Sequence, residues 1–180
     1  LIGIIGVALA GVSVKAGSVT YDFTADPAGQ LTIQGSSPTT VYHATDGNPG
    51  GFLAITHAVD SQNTAIVFPN IDDAGEIVTG FQFAADLRIG NSSDLPDGRP
   101  ADGFSISFAR AGDPVLTAPG ANASYAGGLP EAGSTTGIAV GFDTWAGNAL
   151  PDGDDVEGII VRVDNVTVLR QAMPTRNGAC

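Results

Sequence analysis

The sequence predicts an all-β, largely antiparallel protein of one domain, and three observations support this class. The 180-residue chain contains 25 glycines and 11 prolines, the residues that tight turns between strands require. Short apolar runs recur about every ten residues from Val19 onward, the spacing expected of sandwiches and barrels. Hydrophobic residues make up 43% of the chain, enough for a sizeable core, and few segments have a helical pattern.

The first strands are predicted in "GGFLAITHAV" (50–59) and "NTAIVFPNI" (63–71), with a polar turn between them. In "GFQFAADLRIG" (80–90), every second residue is apolar, which predicts a strand with one face in the core. The core-facing positions of this strand are Phe81, Phe83, Ala85, Leu87 and Ile89.

A further strand is predicted in "ADGFSISFAR" (101–110), where large apolar residues alternate with serines. The apolar residues Phe104, Ile106 and Phe108 face the core, and Ser105 and Ser107 face water. The stretch 111–136 is rich in Gly, Ala and Pro and too long for a plain turn. It is therefore either a binding loop or a disordered insertion.

Near the C-terminus, Asp164 and Asn165 separate two alternating runs in "IIVRVDNVTVLR" (159–170). Both residue types tolerate positive φ, so this pattern predicts a hairpin with a two-residue turn.

The two ends of the chain suggest an exported fragment. Residues 1–16 are mostly apolar and end in small residues around Lys15, as in a partial signal peptide; a buried first strand is the alternative. The run is shorter than the roughly 20 residues of a transmembrane helix. Cys180 is the only cysteine, and exported chains favour paired cysteines, so a partner beyond the recorded end is expected. We expect residues 17–180 to form the domain.

The charge balance excludes one class of partner and favours another. The net charge is -12 and Lys15 is the only lysine, so we expect no nucleic-acid binding. Acidic loops can instead hold a hard cation such as calcium through oxygen ligands. The alternative is that the acidity only aids solubility.

The acidic residues concentrate in "IAVGFDTWAGNALPDGDDVEGIIVRV" (138–163), between two strand-like runs. Two carboxylates, an amide oxygen, a backbone carbonyl and waters would satisfy calcium. The candidate ligands are Asp143, the Trp145 carbonyl, Asn148 and either Asp152 or Asp154. The spacing is not that of an EF-hand, because Val156 interrupts the series. His43 and His57 have no ligand spacing either.

Three motifs carry a resemblance to a known family. They are "ADGFSISFA" (101–109), "YAGGL" (125–129) and "IAVGFDTWAGN" (138–148), followed by an Asp and "EGIIVRV" (157–163). Their order resembles the legume-type (L-type) lectins of the concanavalin A-like superfamily. The resemblance implies a jelly-roll sandwich of two antiparallel sheets. A member of that family would continue with further strands after 170, so we expect the C-terminal strands to be missing.

The resemblance also implies functional residues. The calcium set would be Asp143, the Trp145 carbonyl, Asn148 and Asp152, with Asp154 as the alternative to Asp152. A sugar hydroxyl would be accepted by Asp102, and the backbone amides near Gly127 and Gly128 would donate. Asn148 would contact both calcium and sugar, and the Trp145 ring could stack on a sugar face.

Departures from the family pattern limit these implications. The family has Glu at the position of Gly141 and His at the position of Val156, so we predict no transition metal. Four residues, 144–147, separate the Asp from the Asn where the family has three, and Gly147 can absorb the bulge.

An enzyme is the weaker hypothesis. The segment "GFDTWAGN" (141–148) resembles the catalytic strand of a cellulase family in the same superfamily, but Gly141 and Ala146 stand where that family has its two glutamates. Retaining hydrolysis needs two carboxylates about 5 to 5.5 Å apart. Glu131 and Glu157 remain, with no pairing visible in the sequence.

The sequence therefore predicts a secreted lectin-like domain that binds a glycan or polysaccharide with calcium and has no catalytic activity. The alternative is a structural or adhesive surface module that keeps the jelly roll and has lost the sugar site. The glycan and the oligomeric state are not predicted.

Overall fold

A computed structural model of the chain describes residues 17–35, 40–48, 50–57, 62–71, 78–88, 103–117, 130–145 and 156–173. Eight strands lie in these ranges. They are β1 (Thr32–Gly35), β2 (Val41–Gly47), β3 (Gly50–Ala54), β4 (Thr64–Val67), β5 (Gly103–Phe108), β6 (Ile138–Asp143), β7 (Gly158–Val163) and β8 (Val166–Ala172). The helices described are α1 (Pro114–Thr117) and a 3₁₀ turn (Pro130–Ala132).

Every pair of strands in the described sheets is antiparallel. Two sheets have two strands each, β1 with β4 and β2 with β3, and the third has the order β5-β6-β7-β8. The all-β prediction is therefore confirmed. The strands predicted within 50–59 and 63–71 are present as β3 and β4, although both are shorter than the apolar runs that predict them.

The predicted hairpin between β7 and β8 is confirmed. Asp164 and Asn165 have φ of 47° and 64°, as a two-residue turn with left-handed backbone requires. The Asp164 carboxylate accepts the Gly137 N–H at 2.8 Å and a hydrogen bond from Arg110, also at 2.8 Å. These bonds, first that from Gly137, lower the pKa of Asp164. The turn is thus tied to the start of β6.

The strand predicted over 80–90 is wrong as far as the structure describes it, since residues 80–88 are not paired in a ladder. The alternation still indicates which side chains act together, because these residues lie against one face of the four-stranded sheet. Residues of this segment and of the sheet together line a cavity of about 470 Å³. The cavity is lined by Phe81, Phe83, Ala84, Ala85, Leu87, Ile106, Ile138, Val140 and Phe142. Alternation in sequence shows which side chains point to the same side, but a strand forms only where a second backbone pairs with it.

The face of the sheet on this side is called the open face, and Ile106, Val140 and Phe142 belong to it. The opposite face, called the covered face, carries small or polar residues on β5 and β6, and Ile160 and Arg162 on β7. Residues 130–137, called the covering segment, lie across the covered face. The most buried apolar cluster, Ala132 with Ile160, lies at this contact.

Ser105 and Ser107, predicted to face water, lie on the covered face, where Ser107 is exposed as predicted and Ser105 is half-buried. Ser107 Oγ accepts the Ser134 N–H at 3.1 Å. An ideal Cβ at Gly133 would lie 2.7 Å from Ser107 Oγ and 3.1 Å from Ser105 Oγ. The serines therefore support the covering segment, which sequence alternation cannot reveal because it reports one strand at a time.

Candidate functional site

Two of the predicted site residues, Asp143 and Trp145, lie within the described part of the chain. Asp143 ends β6, and Trp145 follows in the loop. The other predicted site residues lie outside the described residues. They are Asp102, Gly127, Gly128, Asn148, Asp152 and Asp154.

Asp143 lies on the covered face, at the edge where the loops leave the sheet. Its partners in register are Gly103 on β5 and Gly158 on β7, so no neighbouring side chain competes for its place. Only 2% of its surface is exposed. One carboxylate oxygen, Oδ1, accepts the Trp145 N–H at 2.9 Å. Asp143 thereby fixes the direction in which the chain leaves β6.

The strand register brings together two motifs that are 40 residues apart in sequence. Gly103, the first residue of β5, pairs with Asp143, the last residue of β6. In the sequence, Asp102 directly precedes Gly103. The described ends of the Ala-Asp-Gly strand and the Phe-Asp-Thr strand therefore meet at the same edge of the sheet.

Glu131, which sequence reasoning left without a partner, lies beside Asp143. An ideal Cβ at Gly103 would lie 3.1 Å from Glu131 Cβ and 3.1 Å from Asp143 Cα. The last two atoms are therefore no more than about 6 Å apart, the sum of these distances. Glu131 is 3% exposed. No spacing rule connects positions 131 and 143, so only the fold could reveal this neighbour.

Gly141 allows this approach. A Cβ at position 141 would overlap the carbonyl oxygen of Glu131, so the covering segment occupies the space that any side chain at 141 would need. The structure thus leaves no room at Gly141 for the Glu that the L-type lectins have at this position. The absence of a transition metal stays a prediction.

The covered face buries charge of both signs. Arg162 on β7 is 2% exposed, as little as Asp143. Arg162 pairs in register with Ala139, and Asp143 pairs with Gly158, so the two side chains project from the same face. Burying ions costs free energy unless they are paired or hydrogen-bonded, so this layer is costly to desolvate.

Asp143 and Trp145 are compatible with two of the calcium ligands. Asp143 Oδ1 accepts the Trp145 N–H, and carboxylate and carbonyl oxygens are the ligand types that calcium takes. Within the described ranges, however, no group of three or more His, Cys, Asp or Glu side chains could hold a metal. A complete site would need the predicted ligands beyond Trp145.

Glu131 and Asp143 are neighbouring acidic residues, but both are buried. Asp143 lies under the covering segment, Glu131 is part of that segment, and both residues are at most 3% exposed. A polysaccharide would have to displace that segment to reach either of them.

Asp113 is the second residue that sequence reasoning missed. Its Oδ1 accepts the Val115 N–H at 3.0 Å, so it caps α1, and its Oδ2 accepts bonds from Thr135 and Thr136 in the covering segment. Burial acts to raise the pKa of Asp113, but the bonds from Thr136, Val115 and Thr135 outweigh burial and lower the pKa. The Asp-Pro pair at 113–114 was a usable signal, because Asp favours the N-cap and Pro the first helical position.

The two histidines have ordinary structural contacts. The His43 ring stacks on Phe52 across β2 and β3, with centroids 4.5 Å apart. The backbone N–H of His57 donates to Gln62 Oε1 at 2.7 Å. Neither contact suggests a metal ligand.

Among the residues that the structure describes, no helix is long and apolar enough to cross a membrane. No protein-family model, curated protein or solved structure matches the chain. The proposals below therefore rest on the sequence motifs and on the geometry around Asp143.

Proposed function

We propose that the chain is a secreted lectin-like domain of the concanavalin A-like jelly-roll type, which binds a glycan with the help of calcium and without catalysis. The observation that carries this proposal is the pairing of Gly103 with Asp143. It joins, at one edge of the sheet, the two strands whose motifs resemble the L-type lectins. A binding site assembled from two such loops would need this adjacency.

In this proposal the loop after β6 holds the cation. Asp143, the Trp145 carbonyl, Asn148 and Asp152 or Asp154 would be its ligands, and bound calcium would hold the loop in one conformation. An ordered loop lowers the entropy cost of binding a flexible sugar.

The sugar would be held beside the cation by residues from three loops. Asp102 would accept a hydrogen bond from a sugar hydroxyl, and the backbone amides near Gly127 and Gly128 would donate to its oxygens. Asn148 would bridge calcium and sugar. The Trp145 ring would pack on the apolar face of the sugar.

A glycan array read with calcium and with EDTA tests this function. We expect binding that EDTA removes, together with a melting temperature that rises when calcium is added. The double variant Asp102→Ala, Asn148→Ala should lose the glycan signal. An unchanged melting temperature and glycan signal in EDTA would refute the role of calcium.

A second candidate is a structural or adhesive surface module without a sugar site. It is favoured by the burial of Asp143 and by its bond to the Trp145 N–H, since a carboxylate that caps a loop needs no cation. If the double variant binds glycans and cell surfaces as well as the unmodified protein does, this candidate replaces the lectin.

A further inference from the structure

We propose that Asp113 is a positioning residue of the candidate site, which acts on Asp143 through the covering segment. Asp113 lies 30 positions before Asp143 in sequence and is 2% exposed. The effect of Asp113 on calcium affinity rests on the proposed function. Its effect on the position of Trp145 does not.

The first step is the anchor at Asp113. Asp113 Oδ2 accepts the Thr136 N–H at 2.7 Å and the Thr136 hydroxyl at 2.6 Å, and it also accepts the Thr135 hydroxyl at 3.1 Å. Three donors from two adjacent residues on one oxygen fix the end of the covering segment. Hydrogen bonds to a charged acceptor are stronger than neutral ones, so this anchor is the firmest described contact of the segment.

The second step is the seating of the segment on the sheet. Ser134 Oγ donates to the Thr136 carbonyl at 2.8 Å, and the Ser134 N–H donates to Ser107 Oγ. Gly133, with φ of 77°, lies so close to the sheet that its ideal Cβ would be 2.7 Å from Ala139 Cβ. Because the segment packs this closely on the sheet, a shift of Thr136 is expected to move Glu131 as well.

The third step is the contact with the site. The Glu131 carbonyl occupies the space over Gly141, and its Cβ lies over Gly103, the register partner of Asp143. Glu131 therefore forms one wall of the space that holds Asp143. A shift of the covering segment changes that wall and, with it, the hydrogen bond that the Trp145 N–H donates to Asp143 Oδ1.

A carboxylate is specifically required at position 113. Its two oxygens each accept a backbone N–H, that of Val115 on Oδ1 and that of Thr136 on Oδ2. An Asn side chain has one acceptor oxygen and one donor group, so in either orientation one backbone N–H would face a donor. Asp113→Asn thus loosens either the cap of α1 or the anchor while the size of the side chain is kept.

The test uses the only tryptophan of the chain, Trp145, whose backbone is held by Asp143. Trp145 emission and its quenching by acrylamide are measured for folded Asp113→Asn in EDTA, and the calcium affinity is measured by titration of the same variant. We expect red-shifted emission, stronger quenching and a calcium dissociation constant raised up to about tenfold, the lower end of the cost of losing a group that hydrogen-bonds a metal ligand directly.

Two control variants separate positioning from a general loss of stability or charge. Val115→Ala removes buried apolar atoms from α1 but leaves all the hydrogen bonds of Asp113 in place. Asp22→Asn removes one charge from an exposed carboxylate that, like Asp113, accepts a backbone N–H and a hydroxyl, here both from Thr24. Both controls should match the unmodified protein in Trp145 emission and in calcium affinity.

A second variant moves Glu131 without changing Asp113. Gly141→Ala displaces the Glu131 carbonyl without touching Asp113 and should shift Trp145 emission in the same direction. If Trp145 emission in folded Asp113→Asn equals that of the controls, the positioning role of Asp113 is overturned, whether or not Gly141→Ala folds. If the unmodified protein binds no calcium, the calcium site fails, and the Trp145 measurements in EDTA still decide the role of Asp113.

Discussion

The covered face and the open face of the four-stranded sheet come from the same strands but are opposite in character. On β6, the open face carries Ile138, Val140 and Phe142, which are half-buried, and the covered face carries Ala139, Gly141 and Asp143, which are buried. The smaller and more polar face is thus the less exposed one. Small residues let a second backbone approach β6 closely, whereas on β7 the covered face buries the larger Ile160 and Arg162.

The largest expected effect of this difference is at Gly141. Gly141→Ala should lower the free energy of unfolding by about 3 kcal/mol, because the new Cβ must displace the Glu131 backbone. Val140→Ala, one residue away on the open face, should cost only about 1 kcal/mol, because Val140 lines a cavity and is half-buried. Urea denaturation of both variants measures the contrast. Equal losses would show that the two faces are packed alike.

Next in size is the anchor of the covering segment. Asp113→Asn should cost about 2 kcal/mol, since a buried backbone N–H loses a charged acceptor. Urea denaturation with an unchanged m-value would assign this loss to the folded state. A loss below about 0.5 kcal/mol, the level of an ordinary surface substitution, would mean that the covering segment is held mainly by its contact with the sheet.

The same carboxylate predicts acid sensitivity. Because folding lowers the pKa of Asp113 from its usual value of 3.8, its contribution is fully present above that value and is lost as the pH falls through the lower pKa of the folded state. The difference in stability between the unmodified protein and Asp113→Asn should therefore be constant near neutral pH and shrink below about pH 4. A difference that stays constant down to pH 2.5 would contradict this assignment.

The sequence predicted the strands better than it predicted the packing between them. The run 138–143, the alternation in 103–108 and the turn at Asp164–Asn165 were all local signals, and the structure has each of them. The covering segment was not predicted, because its contacts join Asp113 to Thr136 and Glu131 to Gly103 across 23 or more positions. Such contacts leave no periodic trace in the sequence.

The candidate site divides in the same way. The motifs singled out Asp143 as a candidate ligand, and the structure adds that it pairs with Gly103 of the Ala-Asp-Gly strand. Glu131 was noticed only as a carboxylate without a partner. Its approach to Asp143 depends on two glycines, 103 and 141, whose importance appears only when the opposing backbone is known.

The smallest expected effect is on the open face. The Phe81 ring stacks on Phe108 with centroids 4.6 Å apart, yet the two residues are 49% and 41% exposed. Phe81→Ala should therefore cost only about 1 kcal/mol, close to the value of an aromatic pair alone and below the 3–5 kcal/mol of a fully buried Phe. Phe81→Leu is the matched control, because it keeps apolar contact with the cavity and loses the stacking. Urea denaturation that gave a loss of 3 kcal/mol or more for Phe81→Ala would show that the open face is as firmly packed in solution as the covered one. The two faces would then differ in the size of their side chains but not in how firmly those side chains are packed.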